Sequence, residues 1–152
     1  NINEFKDYPD DLKRFRKVPA DYKKILSFSV RRNPINHMSA VFRKTEVVKV
    51  GGYKHITGYE DYYLWLRLLQ KNKIILNQDI SLIYARIGNN MISRRSGFKF
   101  FMYEIKFQKL IFKEGIINLY QFLTNILVRA IPRLFEKRII QLIYKIILRN
   151  ES

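Results

Sequence analysis

The chain has 152 residues, of which 47% are hydrophobic and 14% aromatic, enough apolar material for one domain with a real core and too much for a disordered segment. It contains no cysteine, which excludes a disulfide scaffold, thiolate metal sites and cysteine nucleophiles, and fits a reducing cytoplasm. A formal net charge of +16 favours polyanionic partners: nucleic acid, anionic lipid or phosphate-bearing substrates.

That charge is spread along the chain, with 17 Lys and Arg against 9 Asp and Glu in residues 1–93 and 12 against 4 in residues 94–152. No apolar run reaches the ~18–20 residues of a membrane span. The chain begins at Asn1, with no initiator Met and no hydrophobic signal region, so a fragment is expected rather than a complete gene product.

In chain order, residues 1–33 read as polar and irregular, punctuated by Pro9 and Pro19. Asp21 to Phe28 is the exception, a short helix capped by Asp21 with Tyr22, Ile25, Leu26 and Phe28 on its apolar face. Pro34 restricts Asn33 to extended geometry. Alternation over His37 to Phe42 predicts a strand, and Thr45 to Val50 a helix stopped by Gly51-Gly52. Tyr62, Trp65, Leu66 and Leu69 then form one helical stripe, with Glu60 and Asp61 at its N-terminus, where the helix dipole favours negative charge. Ile74 to Leu76 and Ser81 to Arg86 read as two strands joined by a turn at 77–79. Beyond the Gly88-Asn89-Asn90 loop, residues 98–113, 116–131 and 134–149 read as helices broken near Gly115 and Pro132. The order is α/β first, then all-helical.

Adjacent carboxylates at a helix start are either capping and dipole partners or a catalytic mount, and Glu60-Asp61 follow a Gly58-Tyr59 turn where a loop meets a rigid helix. The segments around them are specific. Asn33-Pro34, His37, Phe42-Arg43, Gly51-Gly52-Tyr53, and Glu60-Asp61 followed by Leu64-Trp65 and Arg67 stand in the order and spacing of the family 2 glycosyltransferases. Over about residues 1–95 the chain resembles that family.

The resemblance implies the C-terminal part of a GT-A fold. It implies transfer of a sugar from a nucleotide diphosphate donor to an acceptor hydroxyl with inversion, in bacterial surface polysaccharide synthesis. It carries the general base to Asp61, within reach of the acceptor proton, and leaves Glu60 to orient the acceptor or the loop. It also sets His37 near the donor–acceptor cleft, against a reading as a packed or surface residue. Trp65 is a cleft wall or a core residue. Arg94 and Arg95, with Arg86 as a weaker candidate, are either surface charges or the guanidinium groups that meet the leaving diphosphate.

The family's Asp-x-Asp, which holds Mg²⁺ or Mn²⁺ on the donor, has no counterpart here, where only Asp10-Asp11 and isolated acids occur. Residues 1–95 are therefore expected to be the acceptor-side half of the catalytic domain, with the nucleotide-binding half and most metal ligands outside this chain, and the chain alone to be inactive. Residues 96–152 are expected to form a helical, basic tail. Its helices over 116–149 either pack on the protein or lie on an anionic membrane surface, which would make the protein peripheral on the inner face of the cytoplasmic membrane and bring it to a saccharide or lipid-linked saccharide acceptor. The competing reading is a non-catalytic basic module binding anionic membrane or nucleic acid. No nucleic-acid motif is present, so nucleic acid is not expected as a partner. An open sheet edge and apolar helices would also suit a homo-oligomer.

Overall fold

A computed structural model of the chain describes residues 1–86 and 96–135. The chain is mixed α/β and folds as two compact units, Asn1–Gly88 and Asn89–Ser152.

The first unit holds a three-stranded sheet in the order β2-β1-β3. Strand β1 (Ile2–Phe5) runs antiparallel to β2 (Leu12–Arg16), with a register shift between Glu4 and Phe5. It runs parallel to β3 (Ile83–Arg86), pairing Ile2 with Ile83 and Phe5 with Arg86. The hairpin overturns the expectation that residues 1–20 are irregular. Its strands are four and five residues long, and the charges at Lys13, Arg14 and Arg16 hide a period of two over so short a run. The expected strand at Ile74–Leu76 is also absent, so β3 has a partner far away in sequence instead of a hairpin neighbour. Asn77, read as a turn residue, is a brace. Its amide donates to the carbonyls of Pro19 (2.6 Å) and Pro34 (3.0 Å), and its backbone N–H to Ala20 (3.1 Å).

Helix α1 (Tyr22–Ser29) starts as expected, with Asp21 accepting from the Lys24 N–H at 2.9 Å. That bond holds the Asp21 carboxyl below the usual carboxylate range. The strand expected at His37–Phe42 is instead a 3₁₀ turn, His37–Ser39. The Asn36 carbonyl accepts from both the backbone and the hydroxyl of Ser39, each at 2.9 Å, a local bond that competes with extended pairing. Helix α2 (Lys44–Lys49) ends at Gly51 and Gly52, whose φ angles of 81° and 64° suit glycine.

Helix α3 (Glu60–Gln70) is buried far more widely than one stripe: Tyr62, Tyr63, Leu64, Trp65, Leu66, Leu68 and Leu69 are all inside. Leu64, Trp65 and Leu68 pack with Ile35 and Val47 as one core cluster. Full burial of a side chain such as Leu64, which is 0% exposed, stabilises by about 1.5–3 kcal/mol. The helix that carries Glu60 and Asp61 is thus anchored along most of its length.

In the second unit, α4 (Phe98–Lys113) matches the expected span. Gly115 follows it with φ at 69°. Helix α5 (Leu119–Asn125) opens with a reciprocal cap, in which Asn118 accepts from the Gln121 N–H at 2.8 Å and Gln121 from the Asn118 N–H at 2.9 Å. The single helix expected over 116–131 does not run through. It widens into a π turn over Ile126–Ala130 and tightens into a 3₁₀ turn over Ile131–Leu134. Pro132, which has no N–H and clashes with the preceding turn, accounts for the change of pitch.

At the centre of this unit Glu104 is fully buried. It accepts from Gln108 (2.9 Å), Arg129 (2.9 Å) and Arg133 (2.8 Å), while Gln108 accepts from Asn125 at 2.9 Å. Among the described residues no helix is long and apolar enough to cross a membrane. The expected helix 134–149 lies outside the described residues except for Leu134 and Phe135.

Candidate functional site

Asp61 occupies the first turn of α3 and is half-buried. Its Oδ2 accepts from the Asn33 amide at 2.8 Å. The other end of that amide, Oδ1, accepts from the Ile35 N–H at 3.2 Å. With an acceptor on one side and a donor on the other, the two bonds fix which way the Asn33 amide faces. Pro34, itself buried, holds the intervening backbone. Glu60 is half-buried beside Asp61, one residue earlier on the helix.

The Gly-Gly turn brings a third group to the same place. Arg67, further along α3, donates to the Val50 carbonyl and, at 2.6 Å, to the Gly52 carbonyl, while its guanidinium lies 4.5 Å from the centre of the Tyr63 ring. This fork ties the turn to the helix. Tyr53 follows directly, 46% exposed. Its phenol is pushed above its ordinary pKa, first by burial and then by the negative charge of Asp61.

Tyr53 also meets His37 edge to face, with ring centres 5.9 Å apart. His37 is exposed, and its ring centre lies 6.1 Å from that of Trp65. The structure therefore brings Asp61, His37 and Trp65 into one neighbourhood, linked by Tyr53. Trp65 belongs to it from beneath. It is only 3% exposed and packs in the core cluster, with Phe42 at 6.0 Å, so it supports the His37 ring and is not an open wall.

Arg86 is placed elsewhere on its strand, its guanidinium 5.3 Å from the centre of the Phe5 ring. Arg94 and Arg95 lie outside the described residues. Three residues gained roles that sequence reasoning did not give them: Asn33 on Asp61, Tyr53 between Asp61 and His37, and Arg67 on the Gly-Gly turn. Each stands inside a motif segment, which is the signal that could have raised them.

Chemically, a half-buried carboxylate steered by a neutral amide can take a proton from a hydroxyl. An exposed imidazole and a phenol beside it can hydrogen-bond further hydroxyls. Among the described residues no three His, Asp or Glu side chains are grouped to hold a metal ion.

Along almost all of its length the chain is similar to glycosyltransferases. It is 34% identical over 149 residues, 98% of this chain and 55% of the relative, to an uncharacterized glycosyltransferase of Haemophilus influenzae. It is also 34% identical over 149 residues, covering 54% of the relative, to the UDP-Gal:alpha-D-GlcNAc-diphosphoundecaprenol beta-1,3-galactosyltransferase of Escherichia coli. An amylovoran biosynthesis glycosyltransferase of Erwinia amylovora is 30% identical over 132 residues, 87% of this chain and 50% of the relative. The chain thus spans about half the length of the curated relatives it matches. No family model matches it, and no solved structure does.

Proposed function

We propose that this chain is the acceptor-side part of an inverting, family 2 glycosyltransferase with a GT-A fold. It would move a sugar from a nucleotide diphosphate donor to a hydroxyl of a saccharide or lipid-linked saccharide in cell-surface polysaccharide synthesis. The observation that carries this reading is the similarity to glycosyltransferases over 98% of the chain. The relative whose name states a lipid-linked acceptor and a UDP-sugar donor supports the substrate class.

Asp61 is the general base in this reading. The acceptor hydroxyl hydrogen-bonds its carboxylate and loses its proton to it as the oxygen attacks the donor's anomeric carbon, and the nucleoside diphosphate leaves from the opposite face. Glu60 and His37 contact the sugars, with Trp65 behind His37. Arg94 and Arg95 meet the leaving diphosphate. The Mg²⁺ or Mn²⁺ on the donor would be held by ligands mostly outside this chain.

The test uses the whole protein, membranes from its source strain as acceptor, and a panel of radiolabelled nucleotide diphosphate sugars beginning with UDP-galactose. Asp61→Asn is expected to lower kcat by about 10²–10⁴-fold, the usual contribution of a general base, with donor binding kept. Turnover equal to the native protein's would remove Asp61 from the mechanism, and no transfer from any donor would remove the function.

Membrane docking belongs to the same reading and places the protein on the inner face of the cytoplasmic membrane. Tyr120, Leu123, Leu127 and Val128 recur at helical spacing and are 57–74% exposed, in a half of the chain with 12 basic against 4 acidic residues. An apolar stripe on a basic unit suits an anionic leaflet, where each Lys or Arg near the surface adds ~1 kcal/mol. Sedimentation with phosphatidylglycerol-rich vesicles is expected to exceed that with pure phosphatidylcholine and to weaken in Leu127→Asp. Equal binding to both vesicles would refute the docking.

A further inference from the structure

We infer that Asn33 is the positioning residue of the site: it selects which oxygen of Asp61 faces the acceptor hydroxyl. This rests on Asp61 being the base. The Asn33 amide is a two-ended link, held by the Ile35 N–H at 3.2 Å on one side and holding Asp61 Oδ2 at 2.8 Å on the other. Oδ2 is thereby engaged, and Oδ1 is the oxygen the link leaves for a substrate. Among the described residues no other group is hydrogen-bonded to this carboxylate.

The donor's being neutral matters. An arginine or lysine in its place would hold the carboxylate more strongly, through a charge-assisted bond, and would favour the ionised form that a base must give up when it takes a proton. An amide orients the group without adding a charge. The geometry also explains why the residue precedes a proline. Pro34 keeps Asn33 out of helical geometry, and in the resulting turn the side chain can bond the backbone two residues on. The same turn aims its other end at α3.

The discriminating substitution is Asn33→Asp in the whole protein. An aspartate keeps an oxygen to accept from the Ile35 N–H, so the turn is preserved. It lacks the N–H₂ that holds Asp61 and sets a second carboxylate in its place. The expected result is a kcat lower by roughly tenfold to a hundredfold, the scale of a slightly misplaced reacting group, with the donor and acceptor KM values unchanged and the thermal midpoint lowered only by the lost hydrogen bond and the like-charge contact. Because Asn33 acts through Asp61, adding Asn33→Asp to Asp61→Asn should cost no further activity, a coupling that a double-mutant cycle measures. If Asn33→Asp does not fold, Asn33→Ser, which keeps a short hydroxyl donor, replaces it in the same cycle and should show the same coupling with a smaller loss.

A native kcat in a folded Asn33 variant would overturn the inference, as would a loss that persists in full in the Asp61→Asn background or one confined to KM. Those outcomes differ from failure of the parent reading, in which Asp61→Asn itself turns over normally.

Discussion

Glu104 in the helical unit and Asp61 in the sheet-bearing unit are both carboxylates set among hydrogen-bond donors, and the donors differ in kind. Glu104 is fully buried and receives two guanidinium groups and an amide, so both its oxygens are occupied. Asp61 is half-buried at a helix mouth and receives one amide on one oxygen. The first arrangement saturates a charge that could not stay in the interior alone, since breaking a buried pair leaves a charge without compensation. The second aims a charge and leaves part of it accessible. Saturation marks a carboxylate that holds structure together, and partial, neutral coordination marks one available to a substrate.

The sharpest way to break this contrast is to exchange the two residues' behaviour by mutation. Glu104→Ala should destabilise the helical unit by about 3–5 kcal/mol, the cost of stranding a buried ionic partner. Thermal or urea unfolding followed by circular dichroism measures it. The matching Asp61→Asn should shift the unfolding free energy by no more than about 1 kcal/mol, one hydrogen bond's worth, while removing activity. Should the two substitutions destabilise equally, Asp61 is as structural as Glu104 and the contrast fails.

A third carboxylate sharpens it at smaller scale. Glu46 accepts from Lys49 at 2.7 Å and is ion-paired with Lys73, also at 2.7 Å, and these two ammonium groups hold its carboxyl down to about 2 from an ordinary 4.5. A lowered pKa means the folded state binds this proton less readily than the unfolded one. The stabilisation is therefore fully present above about pH 4.5 and lost as pH falls towards 2. It should be small, because surface pairs are screened. In Glu46→Gln the difference in melting temperature from the native protein should shrink across that acid range, and a constant difference from pH 6 to pH 2 would count against the pair.

How much of this could be read in the sequence follows from the range of each interaction. Asp21 as a cap, the glycines ending α2, and the span of α4 depend on neighbours within four residues, and local pattern found them. The Glu60-Asp61 pair was legible at its helix mouth for the same reason. Of the sheet, the strand expected over Ser81 to Arg86 is present as β3 with alternating burial, but β1, whose burial does not alternate, and its parallel pairing with β3 from the opposite end of their unit were not legible. His37 read as a strand because alternation over six residues cannot reveal that the Ser39 hydroxyl has a nearer acceptor. Trp65 could be a wall or core on pattern alone, and packing against Ile35 and Val47 decides for the core. Asn33 and Asp61 are far apart in sequence, and only the fold brings the amide to the acid.

The parallel pairing of residue 2 with residue 83 has a consequence for synthesis. As the chain leaves the ribosome, β1 can close its hairpin with β2 at once, but its other edge waits while the three helices α1 to α3 emerge. Contacts between such distant residues form late and slowly. During that interval a row of backbone donors and acceptors on β1 is open to other nascent chains, the circumstance in which strands pair with the wrong partner. A version of the protein cut short before Ile83 would keep that edge open permanently, and clumping rather than simple inactivity is what such a truncation should produce.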